Sequence, residues 1–146
     1  DTTDRKIVLV TRRTRLQDMV VRYNTVEQAK FQAEHLGLDF SDFLAEDRTY
    51  AQALASVAEV LERHGRLQRL DRGFLPNFLF PPGCLVVVLG QDGLVANTLK
   101  YLDGQPLLAI NPDPARWDGV LLPFTADDLP KIIREVVVDR RKHREV

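Results

Sequence analysis

The chain has 146 residues, of which 45% are hydrophobic and 28% charged, a composition typical of a globular domain and unlike that of disordered or fibrous chains. Twenty basic residues against twenty-one acidic ones give a net charge of −1, which argues against recognition of nucleic acid by bulk charge. No apolar stretch approaches the ~20 residues of a membrane helix, and the lone cysteine excludes an internal disulfide, so we expect a cytoplasmic domain without a membrane partner.

The first part of the chain predicts a strand followed by two helices. An apolar run over residues 6–10 predicts the strand, and the polar residues 11–15 predict the loop at its carboxyl end. Apolar residues recur at helical spacing from Leu16, and a new capping pattern at Thr25 predicts a second helix. Gly37 is expected to end that helix in the left-handed conformation.

The middle of the chain predicts one clear helix between less regular segments. Residues 38–48 mix acidic and aromatic side chains without a sustained period, and we interpret them as a loop or short turn. Thr49 is then expected to open a helix that ends near Gly65. A second strand is predicted at residues 67–70, whereas the glycines and prolines of residues 73–83 exclude regular structure throughout that segment.

The last part alternates strands and helices. The patterns predict a strand buried on both faces at residues 85–89, a helix at 94–102 and a second strand at 107–110. A turn at residues 111–114 and a final helix from about residue 127 follow. Alternation of this kind predicts an α/β fold, a Rossmann-like three-layer sandwich with a mostly parallel sheet. We interpret residues 1–146 as a single α/β nucleotide-binding domain.

Ligands of such sheets bind at the carboxyl ends of the strands, which selects three loops, at residues 11–15, 90–93 and 111–119. The Gly-Gln-Asp-Gly loop at residues 90–93 is the most informative, because it joins a buried strand to the start of a helix. Glycines let the backbone approach a ligand, and a helix start favours a phosphate. A carboxylate there, Asp92, suits acceptance of a hydroxyl proton in phosphoryl transfer. The alternative is an ordinary turn in which Asp92 caps the helix.

Other candidate residues also have two interpretations. The loop at residues 11–15 carries arginines, and we predict that Arg12 binds a phosphate, although arginines in such loops are more often simply solvated. Trp117 suits stacking on a base or packing over the sheet edge. Neither the three histidines nor Cys84 have metal-ligand spacing, so no metal site is predicted, and Cys84 is expected to be a small core residue.

Three segments together resemble the N-terminal domain of the NAD kinase family, within the NAD kinase and diacylglycerol kinase superfamily. They are residues 85–94, 107–111 and 118–122. That family has a strand ending in Gly-Gly-Asp-Gly-Thr, a helix, and a strand ending in Gly-Ile-Asn. Here Gly90, Asp92 and Gly93 match the first motif, and the Ile-Asn pair ending at Asn111 matches the second. The order of elements fits over most of the chain.

The resemblance implies an ATP-dependent kinase that phosphorylates the ribose 2′-hydroxyl of NAD to make NADP. It implies Asp92 as general base, Gly90, Gln91 and Gly93 as the phosphate-binding loop, and Asn111 as a nucleotide contact. ATP with Mg²⁺ is the implied phosphoryl donor and NAD the substrate. The family carries a second, β-rich domain, so we expect this chain to be the N-terminal lobe of a longer protein. We expect that second domain to form the contacts of a homo-oligomer.

The chain departs from the family pattern at three positions: Gln91 replaces a glycine, Leu94 a threonine and Ala109 a glycine. Gln91 brings a Cβ to a place where the family has bare backbone. These differences support an alternative function, a nucleotide-binding or regulatory module without turnover. A lipid kinase of the same superfamily would need membrane contact, for which no basic amphipathic helix is present in the sequence.

Overall fold

The computed structural model describes residues 5–117 and 124–135. Within these residues five strands and five helices follow one another: β1 Lys6–Thr11, α1 Arg15–Tyr23, α2 Val26–His35, α3 Phe40–Glu62, β2 Arg66–Asp71, β3 Leu85–Leu89, α4 Asp92–Leu99, β4 Leu107–Asn111, β5 Phe124–Thr125 and α5 at residues 129–135. Short 3-10 segments lie at Arg72–Asn77 and Ala126–Asp128.

All five strands pair in parallel, in the order β2-β1-β3-β4-β5. Alternate residues of the central strands enter two separate apolar cores. Leu9 and Val87 pack with α3 and α5 on one face, whereas Val10 and Val88 pack with α4 on the other. Helices therefore cover both faces, which confirms the predicted three-layer α/β fold and the strand buried on both sides.

Residues 40–48 are helical, so the prediction of a loop or short turn over residues 38–48 is wrong from residue 40 onward. Helix α3 begins at Phe40, after Asp39, whose carboxylate accepts a hydrogen bond from the Ser41 amide at 3.0 Å. The predicted start at Thr49 therefore lies within a helix of 23 residues. The sequence pattern is misleading because Glu46, a charged residue, occupies one of the buried positions of this segment. A polar residue on the inner face interrupts the apolar period that predicts a helix.

The remaining boundaries differ from prediction by a few residues. The second helix ends as expected, with Gly37 at a φ of 74°. The segment at residues 73–83 contains a 3-10 turn and is otherwise irregular. Helix α4 begins at Asp92, two residues before the predicted start. The final helix is described only to residue 135, and residues 118–122 of the family resemblance lie outside the described residues.

The strand order places β1 and β3 side by side at the centre of the sheet. From β1 the chain continues outward to β2 on one side, and β3, β4 and β5 follow on the other. The crevice between the carboxyl ends of β1 and β3 is thus the topological switch point, where doubly wound sheets bind their ligands. Two of the three predicted loops, at residues 11–15 and 90–93, leave the sheet here.

Candidate functional site

The hydroxyl of Tyr50 joins the two strands that flank the switch point. It donates a hydrogen bond to the Leu89 carbonyl at 2.8 Å and accepts one from the Arg12 amide at 3.1 Å. Tyr50 is buried, and this burial raises its pKa to about 12, so the hydroxyl keeps its proton at neutral pH. The sequence predicts Tyr50 in a helix but gives no signal for this role, which depends on the packing of α3 over the sheet.

Arg12 lies between two aromatic rings at the same edge. Its guanidinium carbon is 4.8 Å from the ring centre of Trp117 and 5.5 Å from that of Tyr50. Nη1 donates to the Arg13 carbonyl at 3.1 Å, whereas Nε and Nη2 are buried and find no hydrogen-bond acceptor among the described residues. A buried donor without an acceptor costs about 1–3 kcal/mol, so an anion placed here gains donors that the protein itself does not use.

The contact between Arg12 and Trp117 crosses the end of β3. Arg12 follows β1 and Trp117 follows β4, and β3 lies between those two strands in the sheet. The ring of Trp117 therefore packs against an arginine at the sheet edge, which supports the packing interpretation of this tryptophan. Cation–π contacts of this kind partly offset the free-energy cost of removing water from the guanidinium.

The other two arginines of the same loop are paired with carboxylates. Arg13 lies 3.1 Å from Asp18, and both side chains are exposed. Arg15 lies 3.0 Å from the buried carboxylate of Glu46, which also accepts the Arg15 amide at 3.0 Å. Arg12 is thus the arginine of this loop with buried donors that remain unsatisfied within the described structure.

The two glycines of the loop at residues 90–93 meet different surroundings. Gly90 is buried, and a Cβ built on it would lie 2.6 Å from Cδ2 of Leu94. Gly93 is exposed, and a Cβ there would have nothing within 4 Å. Leu94 therefore fills the space over Gly90, so a Cβ at that position would displace the Leu94 side chain, whereas Gly93 leaves open space beside the start of α4.

Asp92 is the first residue of α4, and Gln91 takes the N-cap position with extended backbone angles of φ −93° and ψ 169°. The alternative in which Asp92 caps the helix is therefore wrong. Gln91 is half-buried and makes no side-chain capping hydrogen bond. The half-buried Asp92 lies in the first turn of the helix, next to the positive end of its dipole.

Asn111 organises the loop that follows β4. Its side-chain amide donates to the Trp117 carbonyl at 2.8 Å, and its side-chain oxygen accepts from the Asp113 amide at 2.9 Å. The residue is buried, with an exposed fraction of 4%. Asn111 therefore holds the backbone of Trp117 in place, and its predicted contact with a nucleotide stays a prediction.

Asp42 of α3 anchors the same loop through Arg116. The two side chains form a bidentate pair with N to O distances of 2.8 and 3.0 Å, and Arg15 adds a third hydrogen bond to Asp42 at 2.8 Å. These arginine hydrogen bonds hold the pKa of the Asp42 carboxyl well below its usual range. The hydrogen bonds that Arg116 donates to Asp42 likewise raise the pKa of Arg116. The sequence gives no sign of this network, because Asp42 lies 27 residues from Arg15 and 74 residues from Arg116.

The described residues contain no group of three or more His, Cys, Asp or Glu side chains arranged to hold a metal ion. Cys84 is buried in the core, as expected. Within residues 5–117 and 124–135, no helix combines the length and the apolar character needed to cross a membrane. A scan against protein-family models gives no match for this chain, and a search of curated proteins gives no significant match.

Proposed function

We propose that this chain is the nucleotide-binding domain of a phosphotransferase that resembles NAD kinases and transfers the γ-phosphoryl group of ATP to the ribose 2′-hydroxyl of NAD. One observation carries the proposal. Asp92 begins helix α4 in a glycine-flanked loop at the carboxyl end of the buried strand β3, beside the switch point of a doubly wound sheet.

The start of α4 supports phosphate binding. Amide groups in the first turn of a helix and the positive end of its dipole favour a phosphate oxygen. Gly93 leaves open space in that turn, since no atom outside its chain neighbours and its own helix backbone lies within 4 Å of where its Cβ would be. A diphosphate or triphosphate can therefore approach the backbone at this position, and Mg²⁺ bound with ATP would neutralise part of its charge.

Asp92 is then the general base. Its carboxylate accepts the proton of the 2′-hydroxyl as the hydroxyl oxygen forms a bond to the γ-phosphorus. The bond between that phosphorus and the oxygen that bridges to the β-phosphorus breaks, and ADP leaves with the electron pair. Arg12 follows the neighbouring strand β1, and we infer that it adds positive charge to the site, because its buried Nε and Nη2 groups have no acceptor within the described residues.

The test is replacement of Asp92 by Asn in the longer protein that we expect to contain this chain, with NADP formation from NAD and ATP as the readout. Loss of a general base lowers turnover by about 10²–10⁴-fold. Asp103→Asn is the matched control, because Asp103 is an exposed acidic residue just beyond α4. Near-normal turnover of the Asp92 variant would remove this residue from the mechanism.

A nucleotide-binding module without turnover is the second candidate function. The half-buried Gln91 side chain and the packing of Leu94 over Gly90 favour it, because both occupy space in the phosphate loop. Such a module would bind NAD or ATP and yet form no NADP in the complete protein. Binding measured by calorimetry alongside the turnover assay therefore separates the two functions.

A further inference from the structure

A second cleft lies on the other side of β1 from the loop at residues 90–93. Its volume is about 540 Å³, within the range of roughly 300–1,000 Å³ found for small-molecule sites. Helices α1 and α3 form an apolar wall with Leu16, Val20, Ala51 and Leu54, and the carboxyl ends of β1 and β2 form a polar edge. None of residues 90–93 lines it.

A smaller polar compartment of about 210 Å³ adjoins this cleft. The two spaces share Arg12, Arg13 and Asp71, so they meet at the ends of β1 and β2. Arg72 and Gly73 complete the smaller one together with Asp18. A molecule that spans both spaces thus meets an apolar wall at one end and arginines at the other.

The polar edge of the cleft has carboxylate oxygens and an arginine whose hydrogen-bonding groups are not fully used within the described residues. One oxygen of Asp71 accepts the Gly73 amide at 2.9 Å, and one oxygen of Asp47 accepts the Thr14 hydroxyl at 2.6 Å. The second oxygen of each carboxylate has no hydrogen bond in the part of the chain that the structure describes. Arg72 is exposed and makes no ion pair with any described residue. Carboxylate oxygens accept hydroxyl groups, and arginines bind phosphate.

We propose that this cleft binds a nucleoside phosphate. The apolar wall takes the base, the carboxylates of Asp71 and Asp47 accept the sugar hydroxyls, and the phosphate lies in the smaller compartment near Arg12 and Arg72. The cleft is apolar at one end and cationic at the other, which complements a ligand with an apolar base at one end and an anionic phosphate at the other. This site goes beyond the proposed phosphotransfer, because it shares Arg12 with that site but uses neither Asp92 nor its loop.

Calorimetric titration of the 146-residue chain with AMP tests the proposal, with adenosine and inorganic phosphate as separate probes. We expect AMP to bind more tightly than either fragment, because only AMP fills both compartments. The ring centre of Trp117, the single tryptophan, lies 4.8 Å from the guanidinium carbon of Arg12. We therefore expect the fluorescence of Trp117 to change when the phosphate binds Arg12.

Ala51→Leu fills the apolar part of the cleft from an exposed position, and Ala55→Leu is the matched control on the exposed face of the same helix. We expect AMP affinity to fall about tenfold in the first variant and to stay unchanged in the second. Arg72→Gln should weaken AMP but not adenosine, whereas Arg69→Gln, an exposed residue of β2 outside both compartments, should affect neither.

Ala51→Leu and Asp92→Asn together distinguish this site from the proposed active site. Ala51→Leu should weaken AMP binding, whereas Asp92→Asn should lower NADP formation and leave AMP affinity unchanged, and the AMP result stands even if the phosphotransfer proposal fails. Equal affinities of the Ala51 and Ala55 variants, loss of AMP binding in Asp92→Asn, or absence of AMP binding at millimolar concentration would each overturn the proposal.

Discussion

Replacement of Tyr50 by Phe tests how the switch point is held together. The change removes only the hydroxyl that joins the Leu89 carbonyl to the Arg12 amide. The ring and its packing in the core are kept, so cavity formation contributes little. Two hydrogen bonds at about 0.5–1.5 kcal/mol each predict a decrease of about 1–3 kcal/mol in the free energy of unfolding.

The pH dependence gives this prediction a second signature. Burial raises the pKa of Tyr50 from 10.0 to about 12, so above pH 10 the unfolded chain loses a proton that the folded chain keeps. The folded state then binds more protons, and its stability falls as pH rises. At about pH 11 this effect costs the wild type about 1.4 kcal/mol, whereas the Phe variant has no such group to titrate.

Urea unfolding followed by circular dichroism at about pH 8 and about pH 11 measures both effects. The stability difference between wild type and variant should narrow by about 1.4 kcal/mol at the higher pH, because the other titrating groups are common to both chains. A variant as stable as the wild type at the lower pH would refute the hydrogen-bond argument. A difference that is the same at both pH values would refute the burial argument.

Two further predictions follow from the described contacts. Asp42→Asn should lower the urea midpoint at neutral pH, and the difference from wild type should shrink as pH falls below about 4. The reason is that a carboxyl with a lowered folded-state pKa stabilises the fold only while it is ionised. A difference in urea midpoint that persists at acid pH would contradict this. Gly90→Ala should destabilise by about 1–3 kcal/mol, because its Cβ meets Leu94, whereas Gly93→Ala, in open helical space, should stabilise by about 0.5–1 kcal/mol. Urea midpoints of both alanine variants decide this, and equal effects would contradict the packing described for the loop.

Much of the fold is predictable from local pattern. The apolar run at residues 85–89 predicts a strand buried on both faces, and residues 6–10 and 107–110 predict its two neighbours. The start of α3 is not predictable in this way. Its buried face includes Glu46, whose partner Arg15 is 31 residues away, and a local window has no access to that pairing.

The residues of the candidate site are likewise only partly predictable from the sequence. Sequence pattern alone selects Arg12 and Asp92, because loops after buried strands are where parallel sheets place their ligand-binding residues. It does not find Tyr50, whose function as a link between two strands exists only when α3 packs over the sheet. It also interprets Gly90 as bare backbone for a ligand, whereas the folded chain places Leu94 against it.

What the sequence by itself determined is the set of elements with strong local signals, together with the chemistry of a carboxylate and glycines after a buried strand. Strand order, the stacking of Arg12 on Trp117 and the cleft beside β2 were decided only by the tertiary structure. The physical reason is distance along the chain. Periodicity and capping act within one or two turns, whereas these features depend on side chains brought together from separate elements by burial of the two cores.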